Sequence, residues 1–356
     1  MQRLIRIISL FSILLLAPII GVSTAYYLTD QTDDSKISAF YDLNNELDII
    51  NQEIEISMDD LKELQIKTNS IFIDASIDSN DYQLQINNIN QFISSSKTQK
   101  EQSDIVLEQT LSNLLGDPIE NHDGVNSSIK IYTLEGIDYR GYMAKISPHT
   151  SEALKIVLAG DQLASNGEKT SDAAERSGGI LAVNAGGFWY NSTTKKIAPV
   201  GTTVVDGVIK QFSLEESLTF VGFNINGKLV GKRYTTKEEI YADNIMQGAS
   251  FKPILLQDGK KVKIPSLWAN TKHPRTIIGS FSNDDILIIV IDGRRTGWSS
   301  GVTLEEVQDK LLSFKIKNAY NLDGGGSSAI YYDGDILNRP SDGKERLVTT
   351  NLVVLP

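Results

Sequence analysis

The chain has 356 residues, no cysteine and a formal net charge of −11 at pH 7, which excludes disulfide stapling, thiol catalysis and cysteine-ligated zinc and leaves a hydrophobic core to hold any domain. The charge is uneven: residues 30–120 carry 19 acidic and 5 basic side chains, residues 121–356 carry 26 and 27. The acidity therefore belongs to the first stretch and does not oppose a phosphate-bearing ligand in the second, while the absence of a basic stripe argues against nucleic acid.

From the start of the chain, Arg3 and Arg6 precede a 22-residue uncharged run, Ile7 to Leu28. As a helix it would reach about 33 Å, enough to cross a bilayer core. The two arginines predict a cytoplasmic N-terminus, with Tyr26 and Tyr27 at the outer interface. Residues 1–29 are thus expected to be a single-pass cell-membrane anchor with the rest of the chain extracytoplasmic. Ser23-Thr24-Ala25 would suit signal cleavage, but the run exceeds the ~7–15 apolar residues usual in a signal peptide.

Residues 30–118 read as an acidic helical stalk. Phe40, Leu47, Ile54 and Leu61 recur at heptad spacing, with Ile37, Asn44, Asn51 and Met58 at the alternate seam position. This pattern fits a short coiled coil that would join two copies of the chain, or a monomeric helical hairpin. Tyr82, Ile86, Ile89 and Ile93, then Ile105, Leu111 and Leu115, keep helical spacing until Gly116-Asp117-Pro118 ends the run.

Residues 119–356 form the third region, and their pattern changes to strands and tight turns. Asp206-Gly207, Asn226-Gly227, Asp258-Gly259 and Asp333-Gly334 each separate apolar or alternating stretches, a strong hairpin signal. Ile129–Tyr132, Tyr142–Ile146 and the all-aliphatic Ile286–Ile291 read as strands. Helices are predicted over Thr170–Ser177 and Leu304–Lys317. Antiparallel strands with few interspersed helices predict an α+β domain built on mixed, largely antiparallel sheet.

Three apolar stretches open into polar, glycine-bearing loops. Ile180–Val183 leads into Asn184-Ala185-Gly186-Gly187-Phe188-Trp189, Ile286–Ile291 into Asp292-Gly293-Arg294-Arg295, and a further run into Asn321-Leu322-Asp323-Gly324-Gly325-Gly326-Ser327-Ser328. Consecutive glycines cost chain entropy and are kept where backbone must approach something closely, and their N–H groups can form an anion-binding concavity. Phe188 and Trp189 suit a sugar ring, though such aromatics are more often core or lid residues.

In this order, with His273-Pro274-Arg275-Thr276, Thr303, Glu306, Asn338-Arg339-Pro340-Ser341 and Glu345-Arg346, the motifs resemble the signature of the phosphodiester glycosidase family. That family includes a lysosomal enzyme that removes N-acetylglucosamine from phosphodiester-capped mannose 6-phosphate, and many bacterial surface proteins. The resemblance spans roughly residues 120–356. It implies hydrolysis of a sugar-1-phosphodiester of the N-acetylhexosamine type, with a glycan or sugar phosphate as partner, at this location a cell-wall teichoic acid or exopolysaccharide. A phosphodiesterase cleaving the phosphorus–oxygen bond and an inactive glycan-binding or envelope-structural protein are the competing readings.

Chemistry at an anomeric carbon requires a carboxylate, as base or nucleophile. Asp292 and Asp323, each at a strand end, are the candidates, although an Asp-Gly pair can also merely shape a turn. Glu306 fits the family pattern, but Thr303-Leu304-Glu305-Glu306 is also a capping box. Arg275 and Arg294 are expected to grip phosphate bidentately or to form structural ion pairs; Arg295, Arg339 and Arg346 carry less weight. Asn184, Thr276, Asn321, Ser327 and Ser328 are candidates for hydrogen bonds to sugar or phosphate, with the backbone of Gly186, Gly187, Gly324 and Gly325 in close approach. His273 is expected to support Arg275 or meet phosphate. With three scattered histidines, no P-loop and no EF-hand loop, neither metal nor cofactor is expected, calcium on Asp and Asn oxygens being the one metal the sequence still accommodates.

Overall fold

The structure, a computed structural model, describes residue 51 and residues 54–55, 58–68 and 79–356. The anchor expected over residues 1–29 and the first heptads of the stalk lie outside them. Among the described residues, no helix is long and apolar enough to cross a membrane. The chain divides into two units, Met1–Gln109 and Thr110–Pro356, a boundary a little earlier than the sequence suggested.

Within the stalk, residues 58–68 are helical, Ile54 is buried, and Met58 and Leu61 are half-buried. A second helix, Ser79–Leu115, runs for 37 residues without proline or glycine. Ile86, Ile89 and Ile93 are half-buried and Ser96 is buried, a stripe at helical spacing. The stripe does not continue to Ile105, which is 56% exposed. Gly116, at φ +83°, closes the helix by donating its N–H to the Ser112 carbonyl at 3.0 Å, a left-handed position that favours glycine.

The second unit is the expected α+β domain, and every named strand pair is antiparallel. Its largest sheet runs, in spatial order, Glu120–Asp123, Ser127–Glu135, Arg140–Pro148, Ile286–Ile291, Arg275–Ser280, Asn318–Asn321, Ile254–Gln257, Lys260–Lys261. A five-stranded sheet has the order Asp335–Ile336, Ile330–Tyr332, Leu181–Asn184, Thr350–Val354, Leu154–Leu158. Ile129, Ile146, Ile288 and Val290 of the first sheet share one core with Leu154, Val183, Ile330 and Leu352 of the second. A third sheet adds Val221, Phe223 and Ala249 to that core. Ile286–Ile291 is buried at every position and paired on both edges; each such side chain contributes ~1.5–3 kcal/mol.

Register places the polar loops at one end of each sheet. In the large sheet Ile291 pairs with Arg275, and Ile277 pairs with Asn321. Antiparallel order therefore puts the exits after Ile291 and Asn321 beside the entry to Arg275. In the smaller sheet Asn184 pairs with Asn351, and Val183 with Ile330, so the exit after Asn184 meets the start of Ile330–Tyr332.

All four Asx-Gly turns connect paired strands. At three of them both residues have positive φ, as in Asp206 (50°) and Gly207 (72°). The fourth is a longer loop in which Asn224 Oδ1 accepts from the Asn226 and Lys228 N–H groups. Thr170–Ser177 forms as predicted. The helix from Leu304 stops at Ser313, short of Lys317. Lys315 turns left-handed at φ 61°, and the Lys315 and Ile316 N–H groups bond back to Leu312 and Leu311, a Schellman closure made without glycine. One helix escaped prediction: Lys237–Ala242, begun by a Thr236/Glu239 capping box.

Candidate active site

The triple-glycine segment is a tight 3-10 turn that bridges the two sheets. The Leu322 N–H binds the Thr276 carbonyl and the Asp323 N–H binds the Ala185 carbonyl, both at 2.9 Å. Two of the three glycine N–H groups expected to line an anion-binding concavity are already engaged. Gly324 N–H is bonded to Asp323 Oδ1 at 3.1 Å and Gly325 N–H to the Pro274 carbonyl at 2.9 Å. The glycines serve a different purpose. A Cβ at Gly325 would lie 3.2 Å from Arg294 Nη2, and one at Gly326 only 2.0 Å from Arg346 Nη2. Bare backbone thus lets two guanidiniums rest on the turn that carries Asp323.

Asp323 is half-buried at the head of this turn. Burial pushes its pKa up to about 6, against the opposing pull of the Ser327 hydroxyl, the Arg346 charge and the Gly324 N–H. Ser327 Oγ is near enough to act on the carboxylate, yet it makes no hydrogen bond of normal geometry. The arginines beside Asp323 are differently engaged. Arg346 donates to Asp342 at 2.6 Å. Arg294 is exposed and reaches His273 Nδ1 at 3.1 Å. His273 therefore supports Arg294, and burial together with the charges of Arg275 and Arg294 lowers its pKa.

Asp323 and Arg346 line a recess of about 670 Å³. Phe188, Trp189, Phe251 and Trp268 supply its aromatic surface, and Glu215 and Lys252 also line it. Phe251 and Trp268 meet edge to face at 5.9 Å, a geometry that leaves ring faces for an apolar sugar face. Glu215 accepts from Ser217 at 2.8 Å, an interaction that holds its pKa below the ordinary range. Among these residues Phe188, Trp189, Asp323 and, more weakly, Arg346 stand out in the sequence. Phe251, Trp268, Glu215 and Lys252 sit in no motif, and only the folding of the third sheet against the turn brings them to it.

Several predicted site residues position others. Asn184 is fully buried. Its Nδ2 donates to the Asp323 carbonyl at 2.5 Å, and its Oδ1 accepts from Thr276 Oγ1 at 2.8 Å and the Ala329 N–H at 3.2 Å. Asn184 and Thr276, both fully buried, thereby hold the turn that carries Asp323. Asn321 donates to the Lys252 carbonyl at 2.7 Å. Ser328 is 1% exposed, and its carbonyl accepts from Asn338 at 3.1 Å. Gly186 donates to Thr350 Oγ1 at 2.9 Å and packs on Ala249, while Gly187 lies against Phe251 on the recess wall.

Asp292 does not join Asp323. It is 1% exposed and saturated with donors: Trp298 Nε1 at 2.7 Å, Asn338 Nδ2 at 3.0 Å, and the Arg339 N–H at 3.0 and 3.2 Å. A carboxylate so enclosed fastens two loops together and has no lone pair left for a substrate. Arg275 is also buried and grips carbonyls, Thr271 at 2.9 Å and Val302 at 3.3 Å, with no carboxylate pairing it among the described residues. Burial lowers its pKa to about 10, with the Glu305 charge opposing and Arg294 adding to the shift. Glu306 is the reciprocal cap of its helix, accepting from the Thr303 N–H at 2.8 Å, and it is absent from the recess.

One accessible carboxylate with a raised pKa, guanidiniums on its carrier turn and aromatic walls around it make a glycosidase-like domain. Residues 177–355 match the phosphodiester glycosidase family, and the chain belongs to it. The chain is 30% identical over 254 residues to the SPbeta prophage-derived uncharacterized protein YomE of Bacillus subtilis (strain 168), a match covering 65% of this chain and 38% of YomE. It is 32% identical over 75 residues to the N-acetylglucosamine-1-phosphodiester alpha-N-acetylglucosaminidase of Bos taurus, covering 21% of this chain and 14% of that protein. The chain thus spans well under half the length of these curated relatives. Its fold is that of the zebrafish N-acetylglucosamine-1-phosphodiester alpha-N-acetylglucosaminidase catalytic domain, which is auto-inhibited by its pro-peptide. The TM-score is 0.56 at 19% identity, covering 67% of this chain and 87% of that one.

Proposed function

We propose that this protein hydrolyses sugar-1-phosphodiester linkages, with a sugar of the N-acetylhexosamine type in the aromatic recess and Asp323 as the catalytic carboxylate. The observation that carries this reading is the meeting of Asp323, Arg346 and the Trp189, Phe251 and Trp268 rings in one recess. Asp323 takes a proton from water as the water oxygen attacks the anomeric carbon. The bond from that carbon to the phosphate oxygen breaks, and its electron pair leaves with a phosphate monoester. Such a leaving group needs little protonation but does need charge stabilisation, which Arg346 and Arg294 supply. A base with a pKa near 6 remains ionised at neutral pH and still accepts a proton effectively. We further propose that residues 1–29 anchor the chain in the cell membrane, with residues 30–118 as a stalk able to pair two copies and the domain outside. Polymers of the cell envelope would then be its substrates.

Hydrolysis of an N-acetylhexosamine-1-phosphodiester in oxygen-18 water tests the bond assignment. Label is expected on the reducing sugar and not on the phosphomonoester. Label on phosphate would mark a phosphodiesterase, and glycan binding without hydrolysis across a panel of diesters would mark a binding protein.

A further inference from the structure

Beyond the turn lies a group of arginines that the recess does not contain. Arg295 is half-buried: its Nη2 donates to the Pro340 carbonyl at 2.8 Å, while its Nε is buried without a hydrogen-bond partner. Arg339 is exposed and stacks on the Trp298 indole, Cζ to ring centroid 3.6 Å. Arg140 approaches the same ring at 4.9 Å but is paired with Glu135 at 2.7 Å. Arg294, Arg295 and Arg339 have no carboxylate partner among the described residues.

These three belong to one surface. Asp292 receives the Arg339 N–H and the Trp298 indole N–H and lies two residues before Arg294. Arg295 in turn holds the carbonyl of Pro340, the residue after Arg339. Arg294 lies over Gly325, next to the Gly326 on which Arg346 rests. The guanidiniums therefore continue outward from the recess: Arg346, Arg294, then Arg295 and Arg339 on the Trp298 loop.

Like charges that outnumber their counter-charges, here Asp292 and Asp342, repel, and the arrangement is maintained by rigid devices. Arg294 holds a left-handed backbone at φ 58°, costly for a residue with a side chain. The Asp292 knot fixes both loops. Contact with the Trp298 ring steadies the exposed Arg339 guanidinium, a group able to grip a phosphate with two parallel bonds. A single scissile phosphate beside Asp323 would engage Arg346 and Arg294 and leave the outer pair unused.

We propose that Arg295 and Arg339, with Trp298 as their support, form a second phosphate-binding subsite outside the recess, so that the substrate is a chain of repeated phosphodiesters and not a singly capped sugar phosphate. The inference rests on the glycosidase reading for the bond that is cleaved, but the outer subsite is tested by binding alone.

The test compares two probes on the full chain in detergent: a monomeric N-acetylhexosamine-1-phosphodiester and an oligomer of about six glycerol phosphate units, each titrated calorimetrically between 50 and 300 mM salt. The oligomer is expected to bind ~10-fold or more tightly at low salt. Its log K should fall with log salt more steeply by ~1.4, the value for two added phosphate contacts at ~0.7 each. Arg339→Gln and Arg295→Gln together should abolish both differences while monodiester binding stays within twofold. Equal affinities and equal salt slopes for the two probes would overturn the subsite. So would an oligomer advantage that survives in the double variant with its unfolding temperature unchanged. Tight, variant-sensitive oligomer binding with no hydrolysis of the N-acetylhexosamine monodiester would uphold the subsite and reject the glycosidase reading.

Discussion

Replacing Asp323 by Asn separates its chemistry from its cost to the fold. Burial lifts this carboxyl from 3.8 to about 6, so the folded protein holds the proton more tightly than the unfolded chain does. The stabilisation that protonation brings is therefore complete below about pH 4 and is lost as the pH rises through about 6. At pH 7 the ionised group costs the fold ~3 kcal/mol, from a gap of about two pH units at ~1.4 kcal/mol each. Asn resembles the protonated form and should recover much of that. Since Asp323 retains some contact with water, a gain of ~1–3 kcal/mol at pH 7 is expected, shrinking to within ~0.5 kcal/mol at pH 4. Denaturant unfolding at the two pH values measures it. Turnover of a sugar-1-phosphodiester should fall at least ~10²-fold in the same variant, and that of the unaltered protein should decline below about pH 6 as the base is protonated. A variant less stable than the parent at pH 7, an equal gain at both pH values, or near-normal turnover would each refute the assignment.

Asp292→Asn should act in the opposite sense, because an amide nitrogen would face one of the donors that now converge on the carboxylate; a loss of ~2–4 kcal/mol is expected by calorimetry. Gly326→Ala puts a Cβ 2.0 Å from Arg346 Nη2 and should displace that guanidinium, raising KM ~10-fold or more while the unfolding temperature changes little. Glu306→Gln keeps a capping box, so stability should fall by less than ~1 kcal/mol with turnover unchanged; a large loss of turnover would return Glu306 to the chemistry.

The local rules that the sequence displays were followed closely in the domain. Asx-Gly pairs made the hairpins, aliphatic runs made the buried strands, and the Thr303/Glu306 box began its helix. The Thr236/Glu239 box has the same four-residue form and was equally visible, but its helix is only six residues long and lacks an apolar stripe. The motifs mark the loops around the recess but not which of their members face it. Asp292 and Asp323 look alike as Asp-Gly pairs after apolar strands, and what separates them is the Trp298, Asn338 and Arg339 donors that reach only the first. Such donors arrive from up to 47 residues away in the chain, a distance over which no spacing rule operates. The recess aromatics Phe251 and Trp268 were hidden for the same reason.

The strand Thr350–Val354 fills the gap between Leu154–Leu158 and Leu181–Asn184. Those two neighbours are made long before it, so during synthesis each must wait with an unpaired edge, and such edges invite pairing with other chains. Thr350 also binds the Gly186 N–H, and Asn351 pairs with the Asn184 that holds Asp323 in place. Order at the recess is thus deferred to the last segment of the domain, and a nascent or clipped chain lacking that strand would display the family's motifs without their arrangement.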